Sequence, residues 1–160
     1  DDVIDLLNGY FDAMSEPITR HGGEILKFIG DGLLAIFPLT KPTACADLLH
    51  AVTEARQAMV ELNERNAGSG RAPLNYGIGI HVGDVMYGNI GSRSRLDFTV
   101  IGPAVNMASR LETLTKQLGR KVLLSKAFAD LVKGDFELEH VGEHPVRGFS
   151  DPIELFAYHG

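Results

Sequence analysis

The chain has 160 residues, 44% hydrophobic and 22% charged, with Cys45 as its one cysteine. That length and balance fit a single soluble globular domain with a core of its own, and they exclude intrinsic disorder, a collagen-like repeat and a disulfide scaffold. Fifteen Lys and Arg against twenty-one Asp and Glu leave a net charge of −6, which argues against nucleic acid as a partner, and no apolar run is long enough to span a bilayer.

The opening Asp1-Asp2 carries neither a signal peptide nor an initiator Met, so the sequence reads as a piece of a longer chain. Its setting is either cytoplasmic or the cytosolic part of a membrane-anchored protein. From Val3 to about His21, apolar residues at 3, 4, 7, 10, 11, 14 and 18 form a helical stripe. Pro17 threatens its last turns and Gly22-Gly23 ends it. Glu24–Ile29 and Leu33–Phe37 flank Gly30-Asp31-Gly32, the pattern of a β-hairpin. Thr43 is placed to cap a long helix with apolar positions at 48, 52, 55, 59 and 62. Cys45, among alanines at its start, reads as filler, and a lone cysteine fits a reducing compartment.

Leu74–Val82 and Val85–Ile90 read as strands joined at Gly83-Asp84, and their frequent glycines suggest close backbone approach. Leu96–Ile101 is a further strand. Gly102-Pro103 suits the start of a helix that stops at Gly119. Lys121–Leu124 is a strand, Ser125 caps a short helix to Lys133, and Phe136–Val141, His144–Arg147 and Ile153–Tyr158 read as closing strands. Hairpins interleaved with helices predict an α+β sandwich with helices on one sheet face. No internal repeat, low-complexity segment or second domain boundary is visible.

A few residues could carry chemistry. Asp31, between two glycines at a hairpin tip, is either plain turn chemistry or a hard ligand for Mg²⁺. Lys27, in an apolar strand, is either an edge lysine or a ligand donor. Asn106 and Arg110 share one helix face, which is either solvated or aimed at a sugar and phosphates. The six histidines are scattered without a metal-binding pair. There is no Walker A loop, no GxGxxG opening a helix and no GxSxG elbow.

Lys27-Phe28-Ile29-Gly30-Asp31-Gly32-Leu33-Leu34-Ala35-Ile36-Phe37 resembles the metal-aspartate hairpin of class III nucleotidyl cyclases. The run from Phe98 to Glu112, FTVIGPAVNMASRLE, resembles that family's (F/Y)xxxGxxVNxASRLE signature, and Val146-Arg147-Gly148-Phe149 with Pro152 resembles its closing LKGxxxP segment. The resemblance covers essentially the whole chain. It implies a ferredoxin-like βαββαβ-type sandwich, with helices packed on a mostly antiparallel sheet. It also implies an adenylate cyclase that makes 3′,5′-cyclic AMP and pyrophosphate from ATP in cyclic-nucleotide signalling.

By the same resemblance, Asp31 would hold two Mg²⁺ or Mn²⁺ ions together with a second aspartate. Lys27 and Thr99 would read adenine, where guanylyl cyclases typically carry Glu and Cys. Asn106 would orient the ribose, Arg110 would stabilise charge on the α-phosphoryl group, and Arg147 would bind the terminal phosphates in place of the usual Lys. Sites of this family lie across a head-to-tail homodimer interface, usually below an upstream regulatory domain. Thr99 also resembles the soluble-type group, which suggests bicarbonate stimulation. The family's first metal aspartate sits on an N-terminal strand that has no counterpart in residues 1–160, so the chain supplies one metal carboxylate. That departure keeps a non-catalytic, nucleotide-binding regulatory domain open as an alternative, beside guanylate cyclase.

Overall fold

The computed structural model describes residues 2–29, 32–89 and 98–160. It divides into two compact units, one of the residues up to Asn75 with Gly160, the other of Tyr76–His159.

The first unit holds α1 (Asp2–Arg20), β1 (Glu24–Ile29), β2 (Gly32–Ile36) and α2 (Ala44–Gly68). Pro17 lies inside α1 without ending it. A proline removes one donor, the bond to the carbonyl four residues earlier, while its own carbonyl still accepts the His21 N–H at 3.0 Å. The helix stops at a Schellman motif: Gly23 N–H donates to Ile18 O (2.8 Å) and Gly22 N–H to Thr19 O (3.2 Å). Gly22 has φ +93°, which an L-residue adopts only with strain.

The expected hairpin forms, antiparallel from Glu24 opposite Ile36 to Ile29 opposite Gly32. Phe28 packs edge-to-face on Phe11 of α1, ring centroids 4.9 Å apart. Leu49, Val52, Ala55, Met59 and Leu62 turn the buried stripe of α2 inward. A Cβ at Gly9 would stand 3.1 Å from Leu62, so α1 and α2 approach closely there. Thr43 precedes α2 as expected, but it does not cap a backbone N–H. Its hydroxyl donates instead to Asp47 Oδ2 at 2.9 Å, and that carboxylate favours the positive end of the helix.

The second unit holds β3 (Ile78–Ile80), β4 (Met86–Asn89), β5 (Phe98–Ile101), α3 (Pro103–Leu118), β6 (Val122–Ser125), α4 (Lys126–Val132), β7 (Glu139–His144) and β8 (Ile153–Ala157). Four strands join in the order β3-β6-β8-β7, and β4 pairs with β5. Only β3–β6 is parallel among the described pairings. Helices and antiparallel-dominated sheets give the α+β class read from the sequence. The core is built by Met107 and Leu111 of α3, Leu123 of β6, Val146, and Leu155 and Ala157 of β8.

Two expectations need correction. The two strands joined at Gly83-Asp84 do not pair with each other among the described residues: the first is a strand only over Ile78–Ile80 and pairs with β6, while Met86–Asn89 pairs with β5. Gly77 and Gly79 let α3 sit close against the face of this segment. A Cβ at Gly79 would stand 2.3 Å from Ala108 O and 2.5 Å from Glu112 N, so α3 lies directly on that strand. His144–Arg147 is not a strand either. β7 ends at His144, Pro145 offers no ladder donor, and the chain turns with Phe149 N–H on Val146 O at 3.0 Å. Gly148 at φ +91° supplies the third position that a type II turn requires.

Candidate active site

The signature run becomes strand, glycine, helix. β5 carries Thr99 opposite Gly88 of β4; the Thr99 side chain is outside the described part of the structure. Gly102 (φ +143°) takes the chain from β5 into α3, where Pro103 occupies the first turn. The Gly102 carbonyl accepts the N–H groups of Val105 (3.1 Å) and Asn106 (3.3 Å). Met107, Leu111 and Thr115 are the buried face of α3. Asn106 is exposed and Arg110, one turn on, is half-buried, so the two stand on a shared polar flank. Among the described residues, neither side chain has a hydrogen-bond or ion-pair partner. An amide and a guanidinium held on a rigid, well-seated helix suit recognition of a sugar hydroxyl and a phosphate.

Arg147 occupies the corner of the 146–149 turn and is exposed. Thr99, Asn106, Arg110 and Arg147 all belong to the second unit. Lys27 belongs to the first, in β1 opposite Leu34 beside a register shift in the ladder. Its side chain is outside the described part, and Asp31 lies outside the described residues. Among the described residues, no three His, Cys, Asp or Glu side chains converge on a metal position. Asp31 is a hard ligand by type, yet one carboxylate is less than a coordination set. A shallow cleft on α1, lined by Ser15, Glu16, Thr19 and Arg20, holds none of these residues. No described helix is long and apolar enough to cross a membrane.

Sequence reasoning missed two features that lie close to α3. One is the seat of α3 on Gly77 and Gly79, for which the glycine-rich strand was a partial signal. The other is a bond between His81 Nδ1 and Ser125 Oγ, 2.6 Å long and spanning 44 positions. No spacing in the chain announces it. Burial of the His81 imidazole pushes its pKa down, so the ring is neutral at neutral pH.

The model of the adenylate and guanylate cyclase catalytic domain matches residues 1–160. The chain is similar to an adenylate cyclase of Anabaena cylindrica, 43% identical over 130 residues, 79% of this chain and 25% of that protein. It is 31% identical to adenylate cyclase 1 of Rhizobium meliloti over 162 residues, 98% of this chain and 24% of that protein. It thus spans about a quarter of the length of these curated relatives. Among solved structures it is similar to an adenylyl cyclase from P. aeruginosa, with TM-score 0.84 and 32% identity over 99% of this chain and 83% of that one. A guanylyl cyclase gives TM-score 0.81 and 30% identity, over 97% and 79%. With the signature helix in place and the match running from end to end, the chain belongs to the adenylate and guanylate cyclase catalytic-domain family.

Proposed function

We propose that this chain is the catalytic domain of an adenylate cyclase, converting ATP to 3′,5′-cyclic AMP and pyrophosphate. The observation that carries the reading is the polar flank of α3, which holds Asn106 and Arg110 one turn apart with no partner among the described residues. In the reaction the ribose 3′-oxygen bonds to the α-phosphorus and the bond to the pyrophosphate oxygen breaks. Asn106 orients the ribose, so that the 3′-oxygen lies in line with the leaving group. Arg110 offsets the charge that grows on the α-phosphoryl oxygens, and its fork fits them with two donors. Arg147 on its turn meets the terminal phosphates, keeping a charge there with a planar head rather than an ammonium.

Lys27 and Thr99 read the purine edge and favour adenine. Asp31, with a second aspartate, would hold the divalent metal ions, which would lower the pKa of the 3′-hydroxyl and neutralise phosphate charge. The site is shared by two chains in a head-to-tail homodimer, with an upstream regulatory domain in the whole protein. A guanylate cyclase is the second reading, favoured by the 0.81 TM-score to a guanylyl cyclase.

The test is cyclic nucleotide formation by the full-length protein with Mn²⁺, supplied with ATP and with GTP in parallel and in competition. Cyclic AMP as the main product supports the reading. Cyclic GMP formed from GTP in its place moves the assignment to the second reading, and silence with both at dimer-forming concentrations leaves a nucleotide-binding regulatory domain.

A further inference from the structure

His81 ties together three parts of the second unit that the chain keeps far apart. It follows β3 directly, and its Nδ1 lies 2.6 Å from the Ser125 hydroxyl at the end of β6. Ser125 is 2% exposed and caps α4, accepting the Phe128 N–H at 3.3 Å. Ser125 Oγ can accept twice and donate once, so beside the Phe128 N–H it can either donate to His81 Nδ1 or accept from it, and in both cases the bond holds the imidazole in one tautomer. The Nε2 edge is turned toward Gly83. A Cβ at Gly83 would stand 3.7 Å from Nε2 and 2.8 Å from the Ala104 Cβ in the first turn of α3. One residue on, the Asp84 carbonyl oxygen would be 3.1 Å from a Cβ at Gly102. The 81–85 loop is therefore pressed onto the start of α3, and Asn106 is two residues beyond Ala104.

We propose that His81 is a positioning residue for Asn106: fastened to Ser125, it holds the 81–85 loop against the first turn of α3 and so fixes where Asn106 presents its amide. The inference rests on the reading of Asn106 given above. Ser125 and Ala104 do not titrate, and the charged residues next in sequence to the 81–83 segment and to Ser125 are Asp84 and Lys126. Burial, with no charged partner, is what lowers the His81 pKa.

The experiment has two arms on the full-length protein. In the first, kcat and KM for ATP are measured for His81→Ala, Asn106→Ala, the double variant and His81→Asn. His81→Ala lowers kcat by about tenfold and moves KM by less than about twofold, as expected for a misplaced orienting group. In the Asn106→Ala background the same change costs little more, because its route of action is gone. His81→Asn, with a polar atom near the place of Nδ1, regains most of the rate. An equal loss in both backgrounds, or no rescue by Asn, overturns the proposal.

The second arm reads the imidazole nitrogens by NMR and needs no activity. His81 shows a single tautomer, and Ser125→Ala gives a mixture. A mixture of tautomers in the unaltered protein overturns the proposal. If Asn106→Ala leaves the rate unchanged, the catalytic reading fails and this role with it, while the tautomer result still stands.

Discussion

Arg120 and Glu139 meet in a two-point ion pair, Nε to Oε1 at 2.8 Å and Nη2 to Oε2 at 2.5 Å, and His159 Nε2 joins Oε1 at 2.7 Å. Arg120 follows the end of α3 and Glu139 opens β7, so the pair fastens the helix exit to an edge strand. The Arg120 guanidinium first, and His159 second, hold the Glu139 carboxyl down at about 2 from an ordinary 4.5. A carboxylate with a lowered folded pKa binds its proton more readily in the unfolded chain, so its contribution is complete above about 4.5 and is lost as pH falls through about 2. Glu139→Gln removes that contribution. The melting temperature of the variant changes less steeply between these two pH values than that of the unaltered protein, and a pair of thermal melts across the range checks it. The carboxylate is partly exposed, so the effect shrinks in high salt.

Asn106→Ala and Arg110→Ala leave the fold intact, since neither belongs to the buried face of α3. Under the proposed roles each lowers kcat with ATP by about a hundredfold or more, Arg110 as a donor aimed at developing charge and Asn106 as the group that orients the ribose. Steady-state kinetics beside a thermal melt separate this from unfolding. Variants with full rates remove both residues from the catalytic assignment.

Lys27→Glu combined with Thr99→Cys installs the pair that the resemblance associates with guanine. The kcat/KM ratio of ATP to GTP then falls by about tenfold or more, on the scale of one or two exchanged hydrogen bonds to a base. An unchanged ratio would show that neither residue reads the purine.

Gly79→Ala costs stability, because the added methyl meets the Ala108 carbonyl and the Glu112 N–H rather than a movable side chain. Overpacking of this kind costs about 1–3 kcal/mol. Gly134→Ala is the control, as a Cβ there meets nothing within 4 Å and no positive φ is involved. Urea unfolding of both variants gives the comparison.

Specific activity falls on dilution through the range where the homodimer separates, because each proposed site needs two chains. Cyclic AMP formation measured against enzyme concentration, with sedimentation on the same samples, reads the effect. A rate per chain that stays constant while dimers dissociate removes the shared site.

What could be read from the sequence was local. Gly22-Gly23 announces a helix end, Gly102-Pro103 a helix start and Ser125 a cap, and each does what its chemistry allows within a few residues. Asn106 and Arg110 were legible because helical spacing alone puts them on one flank. Strand partners were not: Leu74–Val82 and Val85–Ile90 look like neighbours in the chain, but β3 is claimed by β6 and by the backbone of α3. The Val146–Phe149 segment has strand-like residues around it, and Gly148 at positive φ makes it a turn. His81 and Ser125 escaped because a contact between distant positions leaves no local pattern. The relation of Lys27 and Asp31 to the rest of the site rests on the motif resemblance.

The place of β6 has a consequence for how the second unit folds. Val122–Ser125 is fully buried and is bonded on one side to β3 and on the other to β8. The β3 edge pairs across 44 positions, Ile78 to Val122, and runs parallel, against 34 or fewer for β8, so loop closure alone separates the two by only about a few tenths of a kcal/mol. The β8 edge forms with a shorter excursion. β3 also depends on α3 being seated over Gly77 and Gly79, so the expected order is that β3 closes onto β6 last. In native-state hydrogen exchange, the amides of β6 that face β8 outlast the β3 amides, whose protection ends whenever α3 lifts.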